Sequence, residues 1–167
     1  MKKMTQSQQK LLKSIHVTAA GMWLACVFVL TVLPLISGQA TGDDGLYMYN
    51  YIYHFIDMDI LTPAAIATLL TGLVYSVFTK WGFVKHGWII YKWIVTLVII
   101  IVGTVYLGPK VARLLDIAET QGIAALADEY YVHGTAVGRW AGLINTSLLL
   151  IAVFFSIYKP WKNLRES

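Results

Sequence analysis

Four long stretches of the chain carry no charged residue. They lie between Lys13 and Asp43, Asp59 and Lys80, Lys92 and Lys110, and Arg139 and Lys159, and they are 29, 20, 17 and 19 residues long. A helix needs about 20 mostly apolar residues to cross roughly 30 Å of hydrocarbon. The pattern predicts transmembrane helices near 14–36, 60–79, 88–108 and 136–158. The short connection at about 80–87 makes helices two and three antiparallel neighbours, whereas 38–58 and 109–132 read as longer loops. Within the first of these, 38–45 (Gly-Gln-Ala-Thr-Gly-Asp-Asp-Gly) reads as a turn. Residues 46–58 then carry Tyr47, Tyr49, Tyr51, Tyr53, His54 and Phe55, a density of aromatics that suits a membrane interface. This stretch lies along the outer leaflet or extends helix two outward. In the second loop, Val111, Leu114, Leu115, Ala118, Ile123 and Leu126 suggest an interfacial helix broken near Gly122.

Composition closes off the soluble alternatives. The chain is 57% hydrophobic and 13% charged, against about 25% charged in an ordinary soluble domain. The expectation is a single all-α integral membrane domain over 1–167, with the lipid bilayer as its solvent. Its orientation follows from the basic residues. Lys2, Lys3, Lys10 and Lys13 precede helix one, Lys80 and Lys85 separate helices two and three, and Lys159, Lys162 and Arg165 follow helix four. Eight of the nine acids (Asp43, Asp44, Asp57, Asp59, Asp116, Glu119, Asp128, Glu129) fall in the other two loops. Both termini are therefore expected in the cytoplasm and both long loops outside. The net charge of +4 is a sum over two opposite faces and gives no reason to invoke nucleic acid. The first apolar run is too long for the core of a cleaved signal peptide. The single cysteine, Cys26, excludes an intramolecular disulfide. No Ser/His/Asp order, phosphate loop or zinc motif is present.

Two helix faces are built of small residues: Gly134, Gly138 and Gly142 on helix four, and Ala64, Ala65, Thr68, Thr71 and Gly72 on helix two. Such faces let helices approach closely in lipid, and they equally leave room for a flat macrocycle.

The four histidines belong to four different helices. His16 and His86 start helices one and three at the cytoplasmic end, and His54 and His133 precede or start helices two and four at the outer end. In an up-down bundle this gives one histidine pair at each membrane face. A single such histidine reads as an interface residue, but two pairs matched in depth read as metal ligands. Two imidazoles on facing helices are a usual axial set for haem iron. Zinc would need three or four ligands in one cluster. Copper, helped by Met48 or Met58 near His54, stays open at the outer face. Lys92, six residues after His86, and Arg139, six after His133, are placed to meet anionic haem propionates. Their alternatives are snorkelling for Lys92 and an ion pair with Asp57 or Asp59 for Arg139.

At these residues the chain resembles the small membrane families around the HemJ-type protoporphyrinogen oxidases and the CopD-type copper-resistance proteins. His16 with Trp23 resembles the HemJ-type first helix, Pro63 with Thr68, Thr71 and Gly72 its second, and Gly87-Trp88 with Lys92 the opening of its third. The likeness covers roughly residues 12–108 and implies His16 as a haem ligand with Lys92 as its functional partner. Thr31-Val32-Leu33-Pro34-Leu35-Ile36 stands where the HemJ type carries an Arg and a Tyr, and His54 and His133 have no counterpart there. The paired histidines are instead similar in plan to four-helix di-haem cytochromes b, including quinone-linked superoxide oxidases.

The leading expectation is thus a b-type cytochrome-like protein in the cytoplasmic membrane of a prokaryote. It would hold one or two haems b and carry electrons between the faces, with quinone or quinol as partner and a homo-oligomeric state left open. His16 and His86 would ligate one haem, and His54 and His133 the other. A HemJ-like oxidase of protoporphyrinogen IX is the second reading. A non-redox copper- or haem-handling protein with its site at His54, Met58 and His133 is the third.

Overall fold

The computed structural model describes residues 4–36, 42–79 and 82–161. The first half of the predicted 38–45 turn lies outside them, as do Lys2, Lys3, Lys80, Lys162 and Arg165. The described chain is helical almost throughout. α1 runs Gln6–Val32 and ends in a 3-10 turn at Leu33–Leu35. α2 (Gly42–Phe55) joins α3 (Thr62–Phe78) through a π-helical turn at Ile56–Leu61. α4 (Gly87–Val102) joins α5 (Gly108–Gln121) through a second π turn at Gly103–Leu107. After a 3-10 segment at Gly122–Ala127, α6 runs Glu129–Tyr158.

These elements make four rods of 30, 37, 41 and 30 residues, each long and apolar enough to cross a membrane. Each contains one predicted span, and most of what read as loop is helix. The two central rods pass through proline. A proline inside a helix lacks an N–H and clashes with the carbonyl four residues before it, so Pro63 and Pro109 interrupt the ordinary α-helical bonding of these rods. A π turn, which bonds five residues back, widens the helix just ahead of each: Thr62 N–H reaches Asp57 O and Gly108 N–H reaches Gly103 O. The Thr62 hydroxyl also donates to Asp57 O at 2.9 Å. Helix two therefore continues outward through the tyrosines to Gly42, the second of the two alternatives for 46–58.

The ends of the rods have local causes. Thr5 closes a capping box on α1, its hydroxyl accepting Gln8 N–H at 3.3 Å while its own N–H meets Gln8 Oε1 at 2.9 Å, so α1 starts eight residues before the apolar run. Asp128 caps α6 by accepting Tyr131 N–H at 2.9 Å, which starts that helix at 129. The break near Gly122 is real: this residue sits at φ +56, where a Cβ would collide with the Asp43 carboxylate. That carboxylate accepts Ile123 N–H at 2.7 Å and ties the start of α2 to the end of α5.

α1, α3, α4 and α6 pack around a shared core of Trp23, Val27, Ala64, Ala65, Val95, Ile99 and Leu149. Hydrogen bonds cross four of the interfaces: His16 to Thr71, Thr31 to Thr146, Tyr91 OH to Leu148 O, and Trp93 Nε1 to Ser76 Oγ. The outward faces are as apolar as the core, with Phe28, Ile94 and Phe154 more than half exposed, an arrangement that only lipid satisfies. The glycine face of α6 is used for close packing. A Cβ on Gly134 would stand 2.8 Å from Leu114 Cδ2, and one on Gly142 would stand 2.8 Å from Thr31 Oγ1. Beyond this bundle α2, α5 and the start of α6 enclose a second core of Leu46, Leu114, Ile117, Ala118, Ala125 and Tyr131. Buried Asn50 fastens it by donating to Leu46 O and Tyr131 OH, both at 2.8 Å.

Candidate functional site

His16 is the histidine whose surroundings are most determined. It lies half-buried on α1, with its ring against the small face of α3, where a Cβ on Gly72 would sit 3.6 Å from His16 Cε1. Its Nδ1 is 2.8 Å from Thr71 Oγ1. The Thr71 hydroxyl has one proton, and that proton is directed to carbonyls of its own helix, Ala67 O at 2.6 Å and Thr68 O at 3.1 Å. With that proton on Ala67 O, Thr71 Oγ1 accepts from His16, the arrangement that puts the imidazole proton on Nδ1 and leaves Nε2 as the basic nitrogen. An imidazole held through one nitrogen with the other available is the form in which histidine ligates a metal.

Lys92 on α4 lies close enough to His16 for their charges to interact. Its ammonium donates to Ser156 Oγ at 3.2 Å, while Ser156 passes its own proton to Ala152 O at 2.7 Å. It also sits 5.2 Å from the centre of the Trp88 ring. One of its three N–H donors is thus engaged, and two remain for an anion. Deeper in the same bundle, the Nε1 of Trp23, 2% exposed, has no hydrogen-bond partner, an uncommon condition for a buried donor. The site therefore offers a basic imidazole nitrogen, a cation with spare donors, small residues on α3 and a buried indole N–H.

The other predicted residues are less converged. His86 is the N-cap residue of α4 and stacks on Trp88, with ring centres 6.1 Å apart and planes 19° from parallel. His54, half-buried at the end of α2, lies within electrostatic reach of Asp57. His133 is exposed on α6, and neither a hydrogen bond nor a ring contact joins it to His54. Met58 packs its methyl group beside Gly108. No group of three or more His, Cys, Asp or Glu side chains converges among the described residues. The alternative ion pair of Arg139 with Asp57 or Asp59 is absent: Arg139 is exposed, has no carboxylate within bonding distance among the described residues, and lines a cleft between the helices.

That cleft lies where α2, α5 and α6 meet the end of α1. Tyr49, Tyr53, Lys110, Gly138 and Arg139 line it, and the volume open to the centre of a water molecule is about 30 Å³. Sequence reading passed over Ser156 and took Thr71 only as part of a small face, because a threonine or serine that back-bonds to its own helix gives no signal of its role across an interface.

No protein-family model, no curated protein and no solved structure matches the chain.

Proposed function

We propose that the protein is a haem-binding redox protein of the cytoplasmic membrane, with one haem at the His16–Lys92 site. The observation that carries this reading is the 2.8 Å contact of His16 Nδ1 with Thr71 Oγ1, a hydroxyl that also bonds Ala67 O of its own helix. The four rods span the bilayer as an antiparallel bundle with both termini inside. Two features support that arrangement: the lysines flanking the spans, and contacts in which His16, early in α1, meets Thr71, late in α3. The haem, when bound, supplies the one-electron chemistry. Thr71 orients the imidazole, Lys92 neutralises a propionate and favours the reduced state, and the apolar walls of α3 and α4 exclude water. His86 would be the candidate for a second iron ligand. The outer pair, His54 and His133, has no comparable support, so a single haem is the reading adopted.

A second reading is the HemJ-like oxidation of protoporphyrinogen IX. It is favoured by one specific observation, the proximity of Lys92 to His16, the pair of residues that the family resemblance singles out.

The test is haem content per chain, measured by the pyridine haemochrome method on protein expressed with haem supply. Wild type should carry close to one b-type haem, and His16→Ala should lose most of it. Thr71→Val, which removes the acceptor of Nδ1–H, should keep haem but shift its potential. Wild type without haem, or His16→Ala with full haem and unchanged bands, overturns the proposal. Lys92→Met separates the two readings. Loss of protoporphyrinogen turnover with haem retained identifies the oxidase, and a lowered potential without such turnover in the wild type identifies the electron carrier.

A further inference from the structure

The cleft between α2, α5 and α6 contains donors without acceptors. Lys110 and Arg139 both line it and both belong to rods that are apolar enough to span the membrane. Neither forms an ion pair. Lys110 rests its ammonium 5.2 Å from the centre of the Tyr106 ring and 4.7 Å from that of Tyr130, and Arg139 has no partner among the described residues. Arg113, the third cation nearby, also lies over the Tyr130 ring, at 4.8 Å, but it does not line the cleft and is in electrostatic contact with Asp128. The Tyr49 and Tyr53 hydroxyls face the same space and make no hydrogen bond, with Tyr49 within electrostatic reach of Arg139. The nearest acid, Asp57, is one helical turn beyond Tyr53 and bonds neither cation.

An unpaired cation at this depth is costly unless a counter-charge meets it. Two cations and two hydroxyls around one space are complementary to an oxyanion, which offers several acceptors and supplies the missing charge. The space limits its size. About 30 Å³ accommodates roughly two waters, which suits a carboxylate or phosphate group and excludes a porphyrin. The remaining walls, including Leu107 and Val111, are apolar and accommodate a hydrocarbon chain. Counting 20 residues back along α6 from Tyr158 ends at Arg139, and counting 20 along the rod that starts at Gly87 ends at Tyr106, about one helical turn before Lys110. Both cations thus lie near the edge of the hydrocarbon, where lipid phosphates are found.

We propose that this cleft binds a phosphate or carboxylate oxyanion through Lys110, Arg139 and the hydroxyls of Tyr49 and Tyr53. The site does not depend on haem at His16. The oxyanion arrives either as the headgroup of an anionic lipid or as a free anion.

The experiment reconstitutes the full chain in nanodiscs. In one arm phosphatidylglycerol replaces phosphatidylcholine, with lipid retention read by native mass spectrometry and Tm by thermal unfolding. In the other, inorganic phosphate is titrated into phosphatidylcholine nanodiscs. Wild type should gain Tm in at least one arm. A response to phosphatidylglycerol alone identifies a headgroup site, and a response to phosphate identifies a free-anion site. Lys110→Gln with Arg139→Gln should abolish the gain and retain phosphatidylglycerol at least about tenfold more weakly, as expected when charge-assisted bonds are removed. Arg113→Gln, outside the cleft, should respond as wild type does. No Tm gain in either arm, or a double variant that responds like wild type, overturns the proposal.

Discussion

Gly142 is where α1 and α6 come closest, and replacing it with alanine tests the packing of the bundle directly. The added Cβ would lie 2.8 Å from Thr31 Oγ1 and 3.3 Å from Thr31 Cα. The hydroxyl alone would have to retreat by about 0.6 Å to restore ordinary contact, and a side-chain rotation does not relieve the clash with backbone. Thr31 is not free to move. Its hydroxyl donates to Val27 O at 2.7 Å and therefore accepts from Thr146 Oγ1 at 3.0 Å. The helices must separate, which stretches this bond. Overpacking of this kind costs about 1–3 kcal/mol, and an interhelical hydrogen bond in a membrane contributes about 0.6 kcal/mol. The helix-propensity gain from Gly to Ala offsets about 0.5–1 kcal/mol. The net is a loss of about 2 kcal/mol, or roughly thirtyfold in the folding equilibrium. Gly21 is the control: nothing lies within 4 Å of its would-be Cβ, so Gly21→Ala should stabilise by about 0.5–1 kcal/mol. Reversible unfolding in mixed micelles, followed by circular dichroism, measures both. Adding Thr31→Ala to Gly142→Ala should recover part of the loss, because it removes the atom in closest contact. If Gly142→Ala is as stable as Gly21→Ala, the close approach of α1 and α6 is wrong.

Two further predictions concern the end of the molecule that carries α2 and α5. Gly122→Ala places a Cβ at φ +56 against Asp43 and should destabilise that end by about 1–3 kcal/mol. Hydrogen exchange should accelerate between Leu114 and Ala127 while the core around Trp23 stays protected, and unchanged protection would refute the account. The bonds from Tyr131 N–H and the Gln121 amide hold the Asp128 carboxyl below the usual carboxylate range. A depressed folded-state value stabilises above the ordinary carboxylate range, and the contribution is lost as pH falls through the folded value. Asp128→Ala should therefore lower Tm at neutral pH, with the difference from wild type shrinking in strong acid. A pH-independent difference would refute the capping role.

Some of this was legible in the residues. The four uncharged runs located the spans, and a glycine at 122 between two short apolar patterns located the break after α5. The charges at Asp59 and Lys110 bounded the two central spans too tightly, because helices two and three run on past them through π turns, of which hydropathy contains no sign. The tyrosines around 49–53 read as an interfacial belt, although Tyr49 and Tyr53 face a cleft. Arg139 read as a partner for a haem propionate, with an ion pair to Asp57 or Asp59 as its alternative. The structure turns it into that cleft instead.

The sequence by itself determined the solvent and the span of each helix, because transfer of a residue between water and hydrocarbon depends on that residue and its near neighbours alone. His16, His86 and Lys92 were legible as polar groups at one end of the helices. Only the tertiary structure decided that His16 meets Thr71, that Lys92 meets Ser156, and that Lys110 and Arg139 line one cleft. The physical reason lies in the bilayer. Lipid and protein interior are equally apolar, so the pattern along a membrane helix scarcely records how it is rotated about its axis. That rotation is set by packing, where Gly142 meets Thr31 and Gly134 meets Leu114, and neither contact exists until the helices have met.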